Sequence, residues 1–209
     1  TEVVIKTSKT ISLKIKDGDY DKKSLSVSAP KATINNYGDF KKITVADGKS
    51  FTDRGEGNNI LVKDKNSLTL VTGKQSSDTK IIVSTSAKGG KINIVNNGSV
   101  DAIKINGKST VTVGGNSKDA PTITNNATGA KIVASMDANI VLDKKATLSV
   151  KEGVTLESLT VNANANITVA KGASVGEVVV AGKASDVALN VNGTVASVTI
   201  DTKADVAVS

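Results

Sequence analysis

The sequence predicts an all-β protein, a parallel β-solenoid with coils of about 19–20 residues. Three observations point to this fold. Apolar and polar residues alternate in short runs along the whole 209-residue chain. Val, Ile and Thr, which are branched at Cβ and favour pleated strands, are frequent, whereas aromatic residues make up only 2%. The spacing of the apolar positions also repeats, and because none of it matches an amphipathic helix, we expect almost no helix.

Each strand is predicted from a run in which every second residue is apolar, the pattern of a strand with one buried face. In chain order, the runs are Ile11/Leu13/Ile15, Leu25/Val27, Ile43/Val45, Ile60/Val62, Leu68/Leu70, Ile81/Val83, Ile92/Ile94, Ile103/Ile105, Val111/Val113, Ile140/Leu142, Leu148/Val150, Leu159/Val161, Ile167/Val169, Val178/Val180, Leu189/Val191, Val198/Ile200 and Val206/Val208. Between them lie Asn, Gly, Asp, Lys and Ser, which favour turns because they tolerate a positive φ or bond their own backbone.

The coil length comes from the recurrence of a set of apolar offsets. The set occurs at Leu156, Leu159, Val161, Ile167 and Val169, at Val100, Ile103, Ile105, Val111 and Val113, and at Val195, Val198, Ile200, Val206 and Val208. Its first half recurs at Val175, Val178 and Val180, followed one residue late by Val187 and Leu189, and a looser copy runs Ala130, Val133, Ser135, Ile140 and Leu142. The starts at 156, 175 and 195 are 19 and 20 residues apart.

A coil of this size cannot bury its apolar residues alone, but a stack of coils shares one aliphatic column and pairs each strand in parallel with its neighbours. Thin layers of Val, Ile, Leu and Ala explain the scarcity of aromatic residues, and turn asparagines are expected to stack between coils. The alternative is a pair of β-sandwich modules, which also hold many short strands. A sandwich core usually includes a Trp or a corner Tyr, whereas residues 100–209 contain no aromatic residue.

The first 60 residues differ from the rest of the chain. They contain all four aromatic residues, Tyr20, Tyr37, Phe40 and Phe51, and fit the period less well. We therefore predict irregular N-terminal coils or a cap at residues 1–60 and a regular solenoid at 61–209, continuous with it as one domain.

The composition argues against an enzyme. The chain has no His, Cys or Trp, which excludes Cys-His and Ser-His-Asp nucleophiles and zinc sites built on imidazole or thiolate. Polysaccharide lyases and hydrolases also use parallel β-helices, but they need clustered carboxylates or a basic residue beside calcium, with aromatic subsites on long loops. Here the turns are short and the acids scattered. We predict no catalytic, cofactor-binding or metal-binding residues and no cofactor.

Two segments resemble ligand loops in part. Asp17, Asp19 and Asp21 alternate as calcium ligands do, but an EF-hand loop would need Gly at Lys22 and Glu at Ser28, so an acidic turn is the simpler interpretation and calcium the alternative. The segment 114–118 (GGNSK) lacks the Gly-Lys-Ser/Thr ending of a phosphate loop.

Threonine pairs at Thr110/Thr112 and Thr122/Thr124 suggest an ice-binding array only if most coils repeat them, and most outward positions are Lys, Asn, Ser or Asp.

The basic residues are almost all lysines. Of 27 basic residues only Arg54 is an arginine, and the net charge is +7. Specific nucleic-acid recognition usually relies on arginine and stacking aromatics, so it is not expected. A diffuse positive field is sufficient to adsorb an anionic cell-wall polymer or acidic glycan, which gives the alternative function of polymer binding through a Lys-rich face.

The coils at 154–161 (VTLESLTV) and 172–180 (GASVGEVVV) resemble the right-handed parallel β-helix regions of bacterial cell-surface proteins, both S-layer-associated proteins and adhesins. The resemblance covers roughly residues 60–209 and rests on the general residue pattern of the coils and on their period. It implies a non-enzymatic structural or adhesive segment that acts as a rod-like scaffold at the cell surface, in the cell wall or S-layer. Its partners would be neighbouring domains of a longer surface protein or further copies of itself. A polysaccharide lyase-like enzyme is the third and weakest alternative.

The two ends of the sequence carry further expectations. No apolar run approaches the roughly 18 residues of a membrane span, and Thr1–Val3 does not begin a signal peptide. We expect an exported protein whose signal lies outside this sequence. The pattern stops in mid-strand at 206–209, so we expect a further coil, a cap or another chain to cover that end.

Overall fold

A computed structural model describes residues 1–201 and 203–209 and confirms an all-β solenoid. Eighteen strands form one sheet, and every pairing between them is parallel. A single 3₁₀ turn, Thr85–Ala87, is the one helical element in the described residues. The β-sandwich alternative is therefore wrong, because its sheets would be built from antiparallel strands.

The strands follow one another with short turns between them. Their bounds are β1 Glu2–Lys6, β2 Ser12–Asp53, β3 Asn59–Val62, β4 Ser67–Thr72, β5 Thr79–Val83, β6 Lys91–Asn96, β7 Val100–Ile105, β8 Thr110–Gly114, β9 Thr122–Asn125, β10 Ala130–Ser135, β11 Ala138–Leu142, β12 Ala146–Val150, β13 Thr155–Val161, β14 Ala165–Val169, β15 Ser174–Val180, β16 Asp186–Val191, β17 Thr194–Ile200 and β18 Asp205–Val208.

From β3 onwards, each strand pairs with the strand two places along the chain, so every coil contributes two strands. The odd-numbered strands form one ladder, whose outward side we call face 1, and the even-numbered strands form the other, face 2. The stack has about 11 turns. Paired residues are separated by 16 residues at Ala130 and Ala146 and by 24 at Ser67 and Lys91. The predicted coil length of about 19–20 residues thus lies in the middle of this range, but the lengths of the turns vary more than the sequence period indicated.

The repeat predicted from the sequence is confirmed for the odd strands. Leu159 pairs with Val178, and Val178 pairs with Val198. In the even strands the predicted alignment of β16 with β18 is confirmed, since Val187 pairs with Val206. The predicted alignment of β14 with β16 is wrong by two residues, because Ile167 is level with Leu189 and not with Val187. The longer turn at 181–185 displaces this strand, and a shift of two residues keeps the same side chains inward.

The looser copy at Ala130, Val133 and Ser135 is also wrong. Ala130, Ile132 and Ala134 point into the core, whereas Val133 is half-buried on the outward side and Ser135 is exposed. The two-residue turn at 136–137 makes this coil short, so a fixed period fails there.

The N-terminal part belongs to the same sheet. The predicted strands around Ile11, Leu25 and Ile43 are joined in the 42-residue β2, since the corner residues between them stay extended. β2 pairs with β1 and β3 in the odd ladder and with β4 in the even ladder, so it holds more than one full turn. The division of the chain at residues 60 and 61 remains a prediction.

The core is a single cluster of buried side chains that runs from Leu25 to Leu189. Most of its members are Val, Ile, Leu and Ala, and each layer packs on the layers above and below. The large apolar side chains that stay exposed lie at the two end coils: Val3, Val4, Val198, Ile200 and Val208.

Candidate functional site

Outward side chains form columns on both faces because the strands stack in register. On face 1, Leu61 pairs with Ile82, Ile82 with Lys104, and Lys104 with Thr124. One column further towards the start of each strand, Asn59 pairs with Lys80. Adjacent members of a column are separated by the usual spacing of about 4.8 Å between strands. Outward side chains at one position of successive coils therefore lie in a line along the axis of the rod, although their chemistry changes from coil to coil.

A groove of about 810 Å³ lies at the N-terminal end of face 1. Its lining residues are Thr1, Glu2, Lys22, Ser24, Lys41, Lys42, Asn59, Ile60, Leu61 and Ile82. The three lysines are exposed, whereas Leu61 and Ile82 are half-buried and Ile60 belongs to the core. The groove therefore combines exposed ammonium groups with an apolar floor.

A second feature of these first coils is a buried carboxyl group. Asp53 is 0% exposed, and its Oδ1 accepts hydrogen bonds from Nδ2 of Asn36 at 2.8 Å and from Nδ2 of Asn58 at 2.9 Å. Its Oδ2 has no hydrogen-bond partner among the described residues. Burial raises the pKa of Asp53 to about 6, although hydrogen bonding to Asn36, to the Gly55 amide and to Asn58 opposes the rise; the Asp39 carboxylate adds to it.

Aromatic side chains fill the same coils. The rings of Tyr20 and Phe40 stack with their centroids 4.8 Å apart. Gly38 lies directly under Tyr20, where a Cβ atom would come within 2.5 Å of two ring carbons. Tyr37 lies on the other side of the strand, with the Lys14 Nζ 4.4 Å from its ring centre. Tyr20, Phe40 and the buried Phe51 thus pack in the interior of the first coils, whereas Tyr37 lies outside it.

Buried polar residues continue beyond these coils. The residues concerned are Asn36, Asp53, Asn58, Asp64, Thr72, Ser76, Thr79, Asn96, Ser109 and Asn125. Asp53, Thr72 and Asn96 are level with one another on consecutive even-ladder strands, and Thr72 Oγ1 donates to Asn96 Oδ1 at 2.7 Å.

These buried polar residues were not predicted from the sequence, although their period-two spacing from buried apolar residues identifies several of them. Asp53 follows Phe51, Asn96 follows Ile94 and Asn125 follows Ile123, each two places after a buried apolar residue. The sequence therefore indicates that the side chains of these polar residues point into the core. The groove had no comparable signal, because it depends on which coils stack beside one another.

The expected stacking of turn asparagines occurs as separate pairs between neighbouring coils. Asn126 Nδ2 donates to Asn106 Oδ1 at 3.0 Å, and Asn162 Nδ2 donates to Asp143 Oδ1 at 2.8 Å. The acceptor in the second pair is an aspartate. An aspartate can take the place of the second asparagine because the hydrogen bond needs only an acceptor oxygen in register with the Nδ2 group.

The acidic segment considered for calcium lies on the surface of β2. Asp17, Asp19 and Asp21 are exposed, and the Asp21 amide donates to Asp19 Oδ1 at 2.9 Å, which is a local turn contact. Over residues 1–201 and 203–209, no group of three or more acidic side chains is arranged to hold a metal ion.

The other two sequence features have structural roles. Gly115, in the Gly-rich segment, packs against the backbone of Asn96, so a side chain has no room there. Thr112 and Thr124 face outward, but their column neighbours are Asn93 and Val133 for the first and Lys104 and Val141 for the second. Threonine therefore does not repeat from coil to coil at these positions.

The chain matches no protein-family model, no curated protein and no solved structure. Within the part of the chain that the structure describes, no helix is long and apolar enough to cross a membrane.

Proposed function

We propose that this chain is a non-enzymatic structural or adhesive segment of a bacterial cell-surface protein, in which it acts as a rod-like scaffold. The observation that carries the proposal is the single core that continues through the stacked coils from Leu25 to Leu189. Because each inner coil is paired with the coil on either side, the strand pairing and the shared core together oppose bending of the stack. Its roughly 11 turns, at about 4.8 Å each, give a rod on the order of 50 Å.

The likeness of the coils to the β-helices of surface proteins supports a location at the cell surface. The exposed apolar side chains of the end coils support a partner that stacks on the end of the rod. Val198 and Ile200 are 41% and 50% exposed at the C-terminal end. A neighbouring domain or another copy that stacks on this coil would cover them and continue the parallel ladder. The partners in this proposal are therefore units that join the rod end to end.

The location is tested by brief protease treatment of intact cells of the source organism, followed by mass spectrometry of the released peptides. We expect peptides from this chain to appear before those of cytosolic marker proteins. Release only after lysis, together with the cytosolic markers, would contradict a surface location.

The absence of catalysis is tested with acidic polysaccharides, the substrates of β-helical lyases. We expect no unsaturated-product absorbance when the chain is incubated with polygalacturonate, with and without calcium. A steady rise in absorbance that scales with protein concentration would overturn the non-enzymatic part of the proposal.

A further inference from the structure

Three lysines of the N-terminal groove lie beside a half-buried aliphatic pair, Leu61 and Ile82, whereas the groove lined by Lys108 and Lys131 holds no large apolar side chain. Lys22, Lys41 and Lys42 converge on a cavity of about 810 Å³ that also contains one acidic residue, Glu2. A second groove, of about 420 Å³, is lined by Lys74 and Lys118 but also by Glu56 and Asp119, together with uncharged polar residues and glycine. The first groove thus has an excess of positive charge, whereas the charges of the second cancel.

We propose that the groove formed by Lys22, Lys41, Lys42, Leu61 and Ile82 binds a linear polymer that carries one anionic group, phosphate or carboxylate, in each repeating unit. The proposal goes beyond the scaffold role, and its failure would leave the rod and its location untouched.

The register of the sheet explains why the polymer would be linear. Ile43 pairs with Ile60, which places Lys42 beside Asn59, and Asn59 pairs with Lys80. Two lysines therefore lie in one column, two coils apart, at about 10 Å by strand spacing. An extended polyanion lying along the rod axis would meet Lys42 in the groove and then, past Asn59, Lys80, which lies in the same column just beyond the residues that line the cavity.

The floor of the groove adds a contact that a diffuse field does not provide. Leu61 and Ile82 are half-buried neighbours on adjacent strands of face 1, and Asn59 and Ser24 line the same cavity with hydrogen-bonding groups. The carbon backbone of a polyol or sugar chain can pack on the aliphatic pair while its anionic groups reach the lysines. Binding should therefore depend on both charge and apolar surface.

The test measures the affinity of the whole chain, by fluorescence anisotropy at low salt, for labelled poly(glycerol phosphate), polygalacturonate and neutral dextran. We expect one or both anionic polymers to bind and dextran not to bind. The first two arms distinguish phosphate from carboxylate as the anionic group. No binding of either polyanion, or equal binding of dextran, would overturn the proposal.

Two triple variants separate the groove from the general positive charge. The groove variant is Lys22→Gln, Lys41→Gln and Lys42→Gln, and the control is Lys144→Gln, Lys151→Gln and Lys171→Gln, which removes the same charge from distant turns. Exposed ion pairs are individually weak, so we expect the groove variant to lose about tenfold in affinity and the control less than about twofold. Equal losses would show adsorption to a diffuse field and overturn the groove as the site.

The apolar floor has its own matched pair of variants. Leu61 and Val141 occupy the same outward column of face 1, and both are half-buried. We expect Leu61→Ser to weaken polymer binding several-fold and Val141→Ser to leave it unchanged, with thermal unfolding confirming that both variants fold. Equal affinities of the two variants would contradict the role assigned to the floor.

Discussion

The first coils, over residues 12–58, and the later coils, over residues 130–191, share one sheet but have different interiors. The first coils contain stacked aromatic rings and a buried carboxyl group held by two amides. The buried residues of the later coils are aliphatic or Met, and none is polar or charged. Strand stacking therefore sets the architecture without dictating the chemistry of the core. The later coils gain stability from close packing, whereas the first coils retain polar groups that are costly to bury.

The largest expected effect lies in the later coils. Leu159 is fully buried between layers that include Val178. Leu159→Ala should lower the free energy of unfolding by about 2–5 kcal/mol, because the rigid aliphatic stack cannot close around the cavity. Chemical denaturation measures the loss, and Thr160→Ala, a change at the neighbouring half-buried position of the same strand, is the control. A loss below about 1 kcal/mol would contradict the tight, rigid packing assigned to these layers.

The next effect belongs to Asp53 in the first coils. Burial raises the pKa of this carboxyl from 3.8 to about 6, so the folded chain binds a proton more tightly than the unfolded chain. The resulting stabilisation is fully present below pH 3.8 and is lost as the pH rises through 6. The shift corresponds to roughly 3 kcal/mol for this group.

Asp53→Asn removes the titrating group while keeping a side chain of the same shape. Unfolding free energies measured from pH 4 to pH 8 should show a decline with pH for the unaltered chain, in the window set by the shift from 3.8 to about 6. In Asp53→Asn the decline should be smaller by the amount that the Asp53 carboxyl contributes. In the exposed control Asp186→Asn the decline should be the same as in the unaltered chain. The same slope in all three proteins would contradict a buried, uncharged Asp53 at low pH.

A smaller effect tests the aromatic packing of the first coils. The Cβ atom of an alanine at position 38 would come within 2.5 Å of the Tyr20 ring, whereas Gly38 leaves room for it. Gly38→Ala should cost about 1–3 kcal/mol through overpacking. In a Tyr20→Ala background the same change should cost much less, and an equal cost in both backgrounds would assign the effect to the backbone instead of the ring.

Much of the fold was predictable because the alternation of apolar and polar residues, and the recurrence of the apolar spacing from coil to coil, can be read directly from the sequence. The run at Leu159 and Val161 predicted both a strand and its coil neighbours, and the pairing with Val178 and Val180 confirms this. Register in the even ladder was not predictable near Leu189, since it depends on how the turn at 181–185 is accommodated. The groove was missed because Lys22 and Leu61 are 39 positions apart in sequence and become neighbours only through stacking.

The central claim of this account is that each strand stacks in register on the strand one coil earlier, and Thr168 tests it most directly. Thr168 pairs with Asn190, both half-buried on the outward side of face 2, whereas the period read from the sequence places Thr168 opposite Ala188. The chain has no cysteine, so paired cysteine substitutions can be read without background.

The measurement is the extent of disulfide formation under mild oxidation in two double variants. Paired residues on neighbouring strands lie within disulfide reach, and a residue two positions away from the paired one along the strand lies beyond it. We predict that Thr168→Cys with Asn190→Cys closes rapidly and that Thr168→Cys with Ala188→Cys stays reduced. Rapid closure of the second pair with the first remaining reduced would contradict the register, and failure of both would contradict the stack.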